Sequence, residues 1–178
     1  MKLLRYNVAM SLDGFIAGSD GGYDWIPADP GVDFAALFAE FDRFVMGRKT
    51  FDMVQALGDL NPTQGRAILV VSHTLPPPDI PGVEVVRAFI PERIRALKAS
   101  AGKDVWLFGG ASLFRYLLDE GVVDRVEVSV IPILLGGGIR LVPDGGAHAL
   151  HLLSHAALPN GILQLVYSVI PNGALIQP

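Results

Sequence analysis

The chain has 178 residues, of which 51% are apolar and 18% charged, with a formal net charge of −4 and no cysteine. The lack of cysteine excludes disulfides, thiolate catalysis and Cys-ligated zinc, and an acidic balance without a basic stripe argues against nucleic acid as a partner. Mean hydropathy is high at +0.41, but no run approaches the ~18 uninterrupted apolar residues of a membrane span. Met1-Lys2-Leu3-Leu4 meets Arg5 and Asn7 at once, unlike the apolar core of a signal peptide. The expectation is one cytoplasmic domain over 1–178, with more apolar surface than so short a chain buries and a homodimer to cover the excess.

Residues 3–9 alternate as a strand, and Asp13-Gly14 is a hairpin-turn dipeptide. Phe34, Leu37, Phe38 and Phe41 fall at i, i+3, i+4 and i+7, so 32–42 reads as an amphipathic helix. Phe44-Val45-Met46 is a short buried strand, followed by a helix over 49–57. Residues 67–71 form a continuous aliphatic run, as a central parallel strand does. The proline-rich stretch 72–82 is a connection within the domain. Pro91 opens a helix at its permitted first turn, and Gly102 stops it. A strand at 105–108 leads through Gly109-Gly110 into a helix over 111–120, ended by Gly121. Strands at 126–131 and 162–170 come last with no helix between them, which predicts an antiparallel C-terminal edge. The fold class is therefore α/β, a mostly parallel central sheet with helices on both faces.

Ligands of such sheets bind at the carboxyl ends of strands, and three loops there carry polar or glycine-rich residues. In Met46-Gly47-Arg48-Lys49-Thr50, Gly47 admits a ligand to the backbone and the following helix N-terminus attracts an anion. Arg48 and Lys49 oppose the helix dipole unless a phosphate offsets them; otherwise they are a surface basic pair. Phe108-Gly109-Gly110-Ala111-Ser112 offers consecutive backbone amides as an anion nest, or a glycine pair for close helix packing. Ser72-His73-Thr74 supplies donors for a ribose or its phosphate, or is a simple turn. His151 and His155 have the spacing of a helical metal pair but lack the glutamate of H-E-x-x-H. They read as surface histidines, and no metal site is expected.

Val8-Ala9-Met10-Ser11-Leu12-Asp13-Gly14-Phe15-Ile16-Ala17, Trp25, Met46-Gly47-Arg48-Lys49-Thr50-Phe51 and Gly109-Gly110 together resemble the dihydrofolate reductase fold. Residues 117–126 followed by Ile131-Pro132-Ile133-Leu134-Leu135-Gly136-Gly137-Gly138 resemble, more closely, the reductase domain of the riboflavin-biosynthesis deaminase-reductase. The deaminase's H-x-E…P-C-x-x-C zinc ligands have no counterpart in a cysteine-free chain, so only the reductase half is expected. The resemblance implies an NADPH-dependent reductase acting on a small heterocycle or sugar-linked pyrimidine, such as 5-amino-6-(5-phosphoribosylamino)uracil. It implies that Gly47, Arg48, Thr50, Gly109, Gly110 and the following Ala111 and Ser112 hold the cofactor pyrophosphate. Ser72, His73 and Thr74, helped by Arg48 or Lys49, would face the adenosine 2′-phosphate, and the nicotinamide would lie against Val8, Ala9, Ile16 and Ala17, with Phe108 in the cofactor turn.

On the substrate side the resemblance implies an acid early in the first helix, near Asp33, which is equally able to be a helix N-cap. It likewise implies a hydroxyl behind the substrate ring at Ser129. Asp13 touches substrate or only makes its turn, and Trp25 walls the pocket or anchors its loop. Arg140 is the candidate for a ribose phosphate. Dihydrofolate or pterin reduction, and a catalytically silent nucleotide-binding protein, are the alternative functions.

Overall fold

The computed structural model describes residues 1–28, 31–58, 63 and 65–171. In chain order the elements are β1 (Leu4–Ser11), β2 (Phe15–Ala17), α1 (Phe34–Ala39), β3 (Phe41–Gly47), α2 (Arg48–Ala56), β4 (Ala67–Val71) and β5 (Val83–Val86). They continue with α3 (Ile90–Ala99), β6 (Asp104–Gly109), α4 (Ala111–Asp119), β7 (Arg125–Ile131), β8 (Ile139–Arg140), β9 (Leu150–Ala157) and β10 (Leu163–Val169). Eight strands form one sheet in the order β5-β4-β3-β6-β1-β7-β10-β9, and β2 pairs with β8 in a separate ribbon. β5 through β7 run parallel, whereas β10 is antiparallel to both β7 and β9.

The period-2 alternation of β1 sends Leu4 and Tyr6 to one face of the sheet and Arg5, Asn7 and Ala9 to the other. On the first face Leu4 and Tyr6 join Ile94 and Leu97 of α3 and Phe114 and Leu117 of α4 in one core. Tyr6 stacks on Phe114 with ring centroids 3.9 Å apart. On the second, Phe44, Met46 and Trp106 pack with Phe51 and Val54 of α2, and Leu37 and Phe38 of α1 lie against them. Helices therefore cover both faces. Among the described residues no helix is long and apolar enough to cross a membrane.

The helix expected over 32–42 is confined to Phe34–Ala39. Phe41 fits the 3.6-residue period by coincidence; it is only 2% exposed and starts β3, its ring 4.8 Å from that of Trp106. Four strands escaped the sequence, the short β2 and β8 of the ribbon and two edge strands of the main sheet. β5 follows the prolines as a four-residue parallel edge, and β9 lacks any alternation in Leu150–Ala157, being exposed along nearly its whole length. His151 and His155 lie on β9, where four residues span about 13 Å, so the helical geometry of a metal pair does not arise.

Arg5 and Glu127, 7% and 5% exposed, form a buried pair between β1 and β7. The guanidinium meets both carboxylate oxygens, at 2.6 and 2.9 Å. It also bonds Glu40, reaches Asp104 at 3.4 Å, and lies 4.6 Å over the Phe41 ring. Burial alone would lower the Arg5 pKa, but hydrogen bonds and charge from Glu127 and Glu40 outweigh it and hold the pKa above its ordinary value.

Candidate active site

Two helices begin directly at the carboxyl ends of parallel strands, α2 after β3 and α4 after β6. Their N-caps, Gly47 and Gly110, supply no side chain to the first-turn amides, and neither first turn carries an acid. Both N-termini are thus free to receive an anion. They adjoin: a Cβ on Gly47 would come within 4.0 Å of the Gly110 nitrogen, and one on Gly109 would meet Thr50 Oγ1 at 3.3 Å. Gly109 has φ +146°, which an L side chain disfavours, and the Gly109–Gly110 peptide is cis. The third loop closes the cradle, for Arg48 Nη1 donates to Thr74 Oγ1 at 3.3 Å while its Nε pairs with Asp52 at 3.2 Å. Arg48, Lys49, His73 and Thr74 are exposed.

Beside this cradle lies a cavity of about 630 Å³, walled by the second sheet face, α1 and α2. Phe108, one residue before the glycine pair, and Val54 of α2 are in its lining, so the same two elements build cradle and cavity. Val8 and Ala9 line it from β1, Ser129 and Ile131 from β7, and Gln164 from β10. Gln164 stands opposite Ser129 in register, and Ser129 opposite Ala9. A smaller chamber of about 200 Å³ shares Asn7, Leu37, Ser129 and Gln164 with the first and adds Glu127 and Ser154. Asn7 Nδ2 donates to Glu127 Oε2 at 2.8 Å; since a carboxylate only accepts, this bond assigns the amide and leaves Oδ1 as an acceptor. The Trp106 indole donates to the Asn7 carbonyl at 3.0 Å and pins the same strand.

A family model described as the RibD C-terminal domain matches residues 2–164. The chain belongs to the RibD C-terminal domain family. The uncharacterized protein YyaP of Bacillus subtilis is 31% identical over 173 residues, covering 90% of this chain and 92% of that protein. The riboflavin biosynthesis protein RibD of Mycobacterium tuberculosis is 32% identical over 157 residues, covering 80% of this chain but 46% of its own length. A pyrimidine reductase-like protein from Corynebacterium diphtheriae has the same fold, with a TM-score of 0.71 at 19% identity over 95% of this chain and 92% of that one. The architecture is dihydrofolate reductase-like.

In this RibD C-terminal domain the expected residues divide. Gly47, Arg48, Thr50, Thr74, Gly109 and Gly110 converge, with Lys49, His73, Ala111 and Ser112 beside them in chain; Val8, Ala9, Phe108 and Ser129 line the cavity. Ser72 is 7% exposed, and its hydroxyl accepts from the Thr74 and Leu75 amides, at 3.3 and 3.0 Å, in a local turn. Ile16 and Ala17 sit on the β2–β8 ribbon, outside the cavity lining. Asp13 also lies outside it. Ser11 Oγ donates to its carboxylate at 2.6 Å, and the Leu135 and Gly136 amides at 3.1 and 2.7 Å, fastening the loop after β7 over the turn after β1. These bonds, the Ser11 hydroxyl first, pull the Asp13 pKa down to about 2.

Asp33 takes the N-cap alternative: exposed, it accepts from the Ala36 amide at 3.0 Å, and its neighbours Val32 and Phe34, not Asp33, line the cavity. Trp25 is half-buried with its indole N–H unpartnered among the described residues, while Tyr23 and Ile26 on either side reach the cavity. Arg140 is exposed on β8 and faces Asp144 at 3.5 Å. Sequence reasoning missed Asn7, Trp106 and Gln164. Asn7 was legible as a polar residue in an otherwise apolar strand; the other two carried no signal.

Proposed function

We propose that this chain is an NADPH-dependent reductase of a small heterocycle. The observation that carries the proposal is a mostly apolar cavity opening beside two uncapped, adjoining helix N-termini and a basic side chain. Gly47, Thr50, Gly109 and Gly110 would hold the pyrophosphate through backbone amides and the Thr50 hydroxyl. Arg48, with Lys49, His73 and Thr74, would meet the adenosine 2′-phosphate. Val8 and Ala9 would hold a nicotinamide, which would supply a hydride. The chain's own contribution is to orient the acceptor on Asn7, Ser129 and Gln164 and to keep water out with the aromatic wall of Phe34, Phe38, Trp106 and Phe108. RibD and the pyrimidine reductase-like neighbour suggest a C=N or C=O bond in a pyrimidine-type ring as the bond reduced.

The test is NADPH oxidation followed at 340 nm with riboflavin-pathway pyrimidines, dihydropterins and dihydrofolate, beside calorimetric titration of the cofactor. Turnover of any of them supports the proposal. Cofactor binding with no turnover favours a silent nucleotide-binding protein, and absence of cofactor binding overturns both.

A second copy of the chain is the partner we propose for the sheet edge. Leu152 and Leu153 on β9 and Leu163 on β10 are 38–46% exposed. Among the described residues β9 ends the sheet order with one side unpaired, an arrangement that invites pairing about a two-fold axis.

A further inference from the structure

Resting on the reductase reading, we propose that the site is completed by a second copy of the chain: His151 of the partner subunit closes the outer end of the smaller chamber and donates a hydrogen bond to the acceptor there. The two edges of the sheet are built differently. β5 is four residues long and carries Glu84. β9 runs for eight residues, Leu150–Ala157, without a Lys, Arg, Asp, Glu or Pro. Folded chains shorten, charge or cover an exposed edge to keep other strands from pairing with it. Among the described residues the outer side of β9 has no paired strand, and a long uncharged edge is suited to antiparallel pairing with its own copy.

The faces of β9 fix what such pairing brings to the site. Gln164, Val166 and Ser168 of β10 share the cavity face by alternation, and Gln164 and Val166 line the smaller chamber. Their partners on β9 are Ala156, Ser154 and His151. His151 is therefore on the cavity face, although its own chain leaves it exposed and outside both linings. The register slips between Val166 and Tyr167, which leaves Leu153 without a counterpart on β10. Leu150, Leu152 and His155 stand on the other face, opposite Val169, Tyr167 and Leu165, and Leu150 packs against the first core.

Two copies of β9 paired antiparallel over the whole strand set each residue opposite its mirror position, so that Ala156 faces the partner's His151. Cavity-face residues then meet cavity-face residues, as a continuous sheet requires. Ala9, Ser129, Gln164 and Ala156 already stand opposite one another on successive strands, and the partner's His151 is the next member of that row, about 5 Å from Ala156. The methyl group of Ala156 leaves room above it for an imidazole to lean toward Gln164 and Ser154. Glu127 is the one ionisable side chain that lines the smaller chamber among the described residues, and it is engaged by Arg5 and Asn7. The imidazole adds a donor that can also carry positive charge, placed for a hydrogen-bond-accepting or anionic substituent of a ring seated at Asn7 and Ser129. The same pairing covers Leu152 and Leu153, 43% and 46% exposed in the single chain.

The chain has no cysteine, so introduced thiols report the placement directly. The double variant His151→Cys/Ala156→Cys should form a covalent dimer under mild oxidation, read on a non-reducing gel. Within one strand those positions are about 17 Å apart and cannot bridge. His155→Cys/Ala156→Cys, with its thiols on opposite faces, should stay uncoupled. In a second arm, His151→Ala should remain a dimer in light scattering and bind NADPH unchanged. Its KM for 5-amino-6-(5-phosphoribosylamino)uracil or dihydrofolate, whichever is turned over, should rise at least fivefold with kcat altered less than twofold, and His151→Gln, which keeps a donor, should recover part of the loss. A monomeric chain, no covalent dimer from the first double variant, or an unchanged KM in His151→Ala overturns the proposal. Absence of turnover of both probes overturns the reductase reading and the role of His151 with it; a covalent dimer formed all the same shows that this reading, and not the placement, has failed.

Discussion

Glu127→Gln probes the link between the sheet's interior and the cavity floor. The side chain keeps its size but loses its charge, so one oxygen remains to accept while an NH2 group faces donors of Arg5 or Asn7. Two charge-assisted bonds from Arg5, at 2.6 and 2.9 Å, and one from Asn7 at 2.8 Å are then compromised together. Removing one partner of a buried ion pair costs about 3–5 kcal/mol. Arg5 keeps Glu40 and Asp104, which are 51% and 25% exposed and accessible to water, so the lower figure, about 3 kcal/mol, applies. At roughly 2–4 °C per kcal/mol for a chain of this size, Tm falls by about 6–12 °C. Thermal unfolding followed by circular dichroism reads the loss. Because Asn7 can then turn its amide, acceptor KM should rise while the affinity for NADPH stays unchanged. The double variant Arg5→Met/Glu127→Leu should be more stable than Glu127→Gln, since it leaves no buried charge behind. A Tm drop of less than about 2 °C, under ~1 kcal/mol, would refute the reasoning and assign Arg5's neutralisation to Glu40 and Asp104.

Arg48→Ala should weaken NADPH about tenfold and NADH much less, the loss of one charge-assisted contact to a 2′-phosphate; equal losses, measured by calorimetry, would remove Arg48 from that role. Asp13 holds its loop as a carboxylate, with a folded pKa of about 2 below the ordinary 3.8. Its stabilisation is therefore complete above the ordinary value and is lost as pH falls through about 2. The Tm difference between the unaltered chain and Asp13→Asn should be constant near neutrality and shrink between pH 4 and pH 2; a pH-independent difference would contradict the clamp. Leu152→Lys together with Leu153→Lys should convert a dimer into a monomer in light scattering without lowering NADPH affinity; a chain already monomeric at micromolar concentration would contradict the proposed edge pairing.

The strand–glycine–helix units at 47–50 and 109–112 were legible because backbone needs, not side-chain partners, dictate them. A glycine at a strand's end followed by an uncapped helix is a local pattern, and a parallel sheet brings such ends together. The short polar residues were legible only as alternatives. Asp33 and Ser72 each had a turn or capping partner within a few residues, and local geometry took both for the backbone, whereas Asp13 is held by the Ser11 hydroxyl and by the distant Leu135 and Gly136 amides. The cavity itself was illegible. Ser129 was named only through the resemblance, and Asn7, Trp106 and Gln164 join it through the strand order β6-β1-β7-β10, a long-range property that no window of the sequence contains. Phe41 misled for the opposite reason, as aromatic residues of a buried strand can fall on a helical period.

The central claim is that the cradle at Gly47–Thr50, Thr74 and Gly109–Gly110 binds NADPH in the native state. Titration of the purified chain with NADPH, followed by calorimetry and by Tm, tests it most directly. The account predicts saturable one-site binding and, at a hundredfold excess over Kd, about 2.7 kcal/mol of added stability, or roughly 5–11 °C in Tm. A flat titration and an unmoved Tm at millimolar NADPH would contradict it.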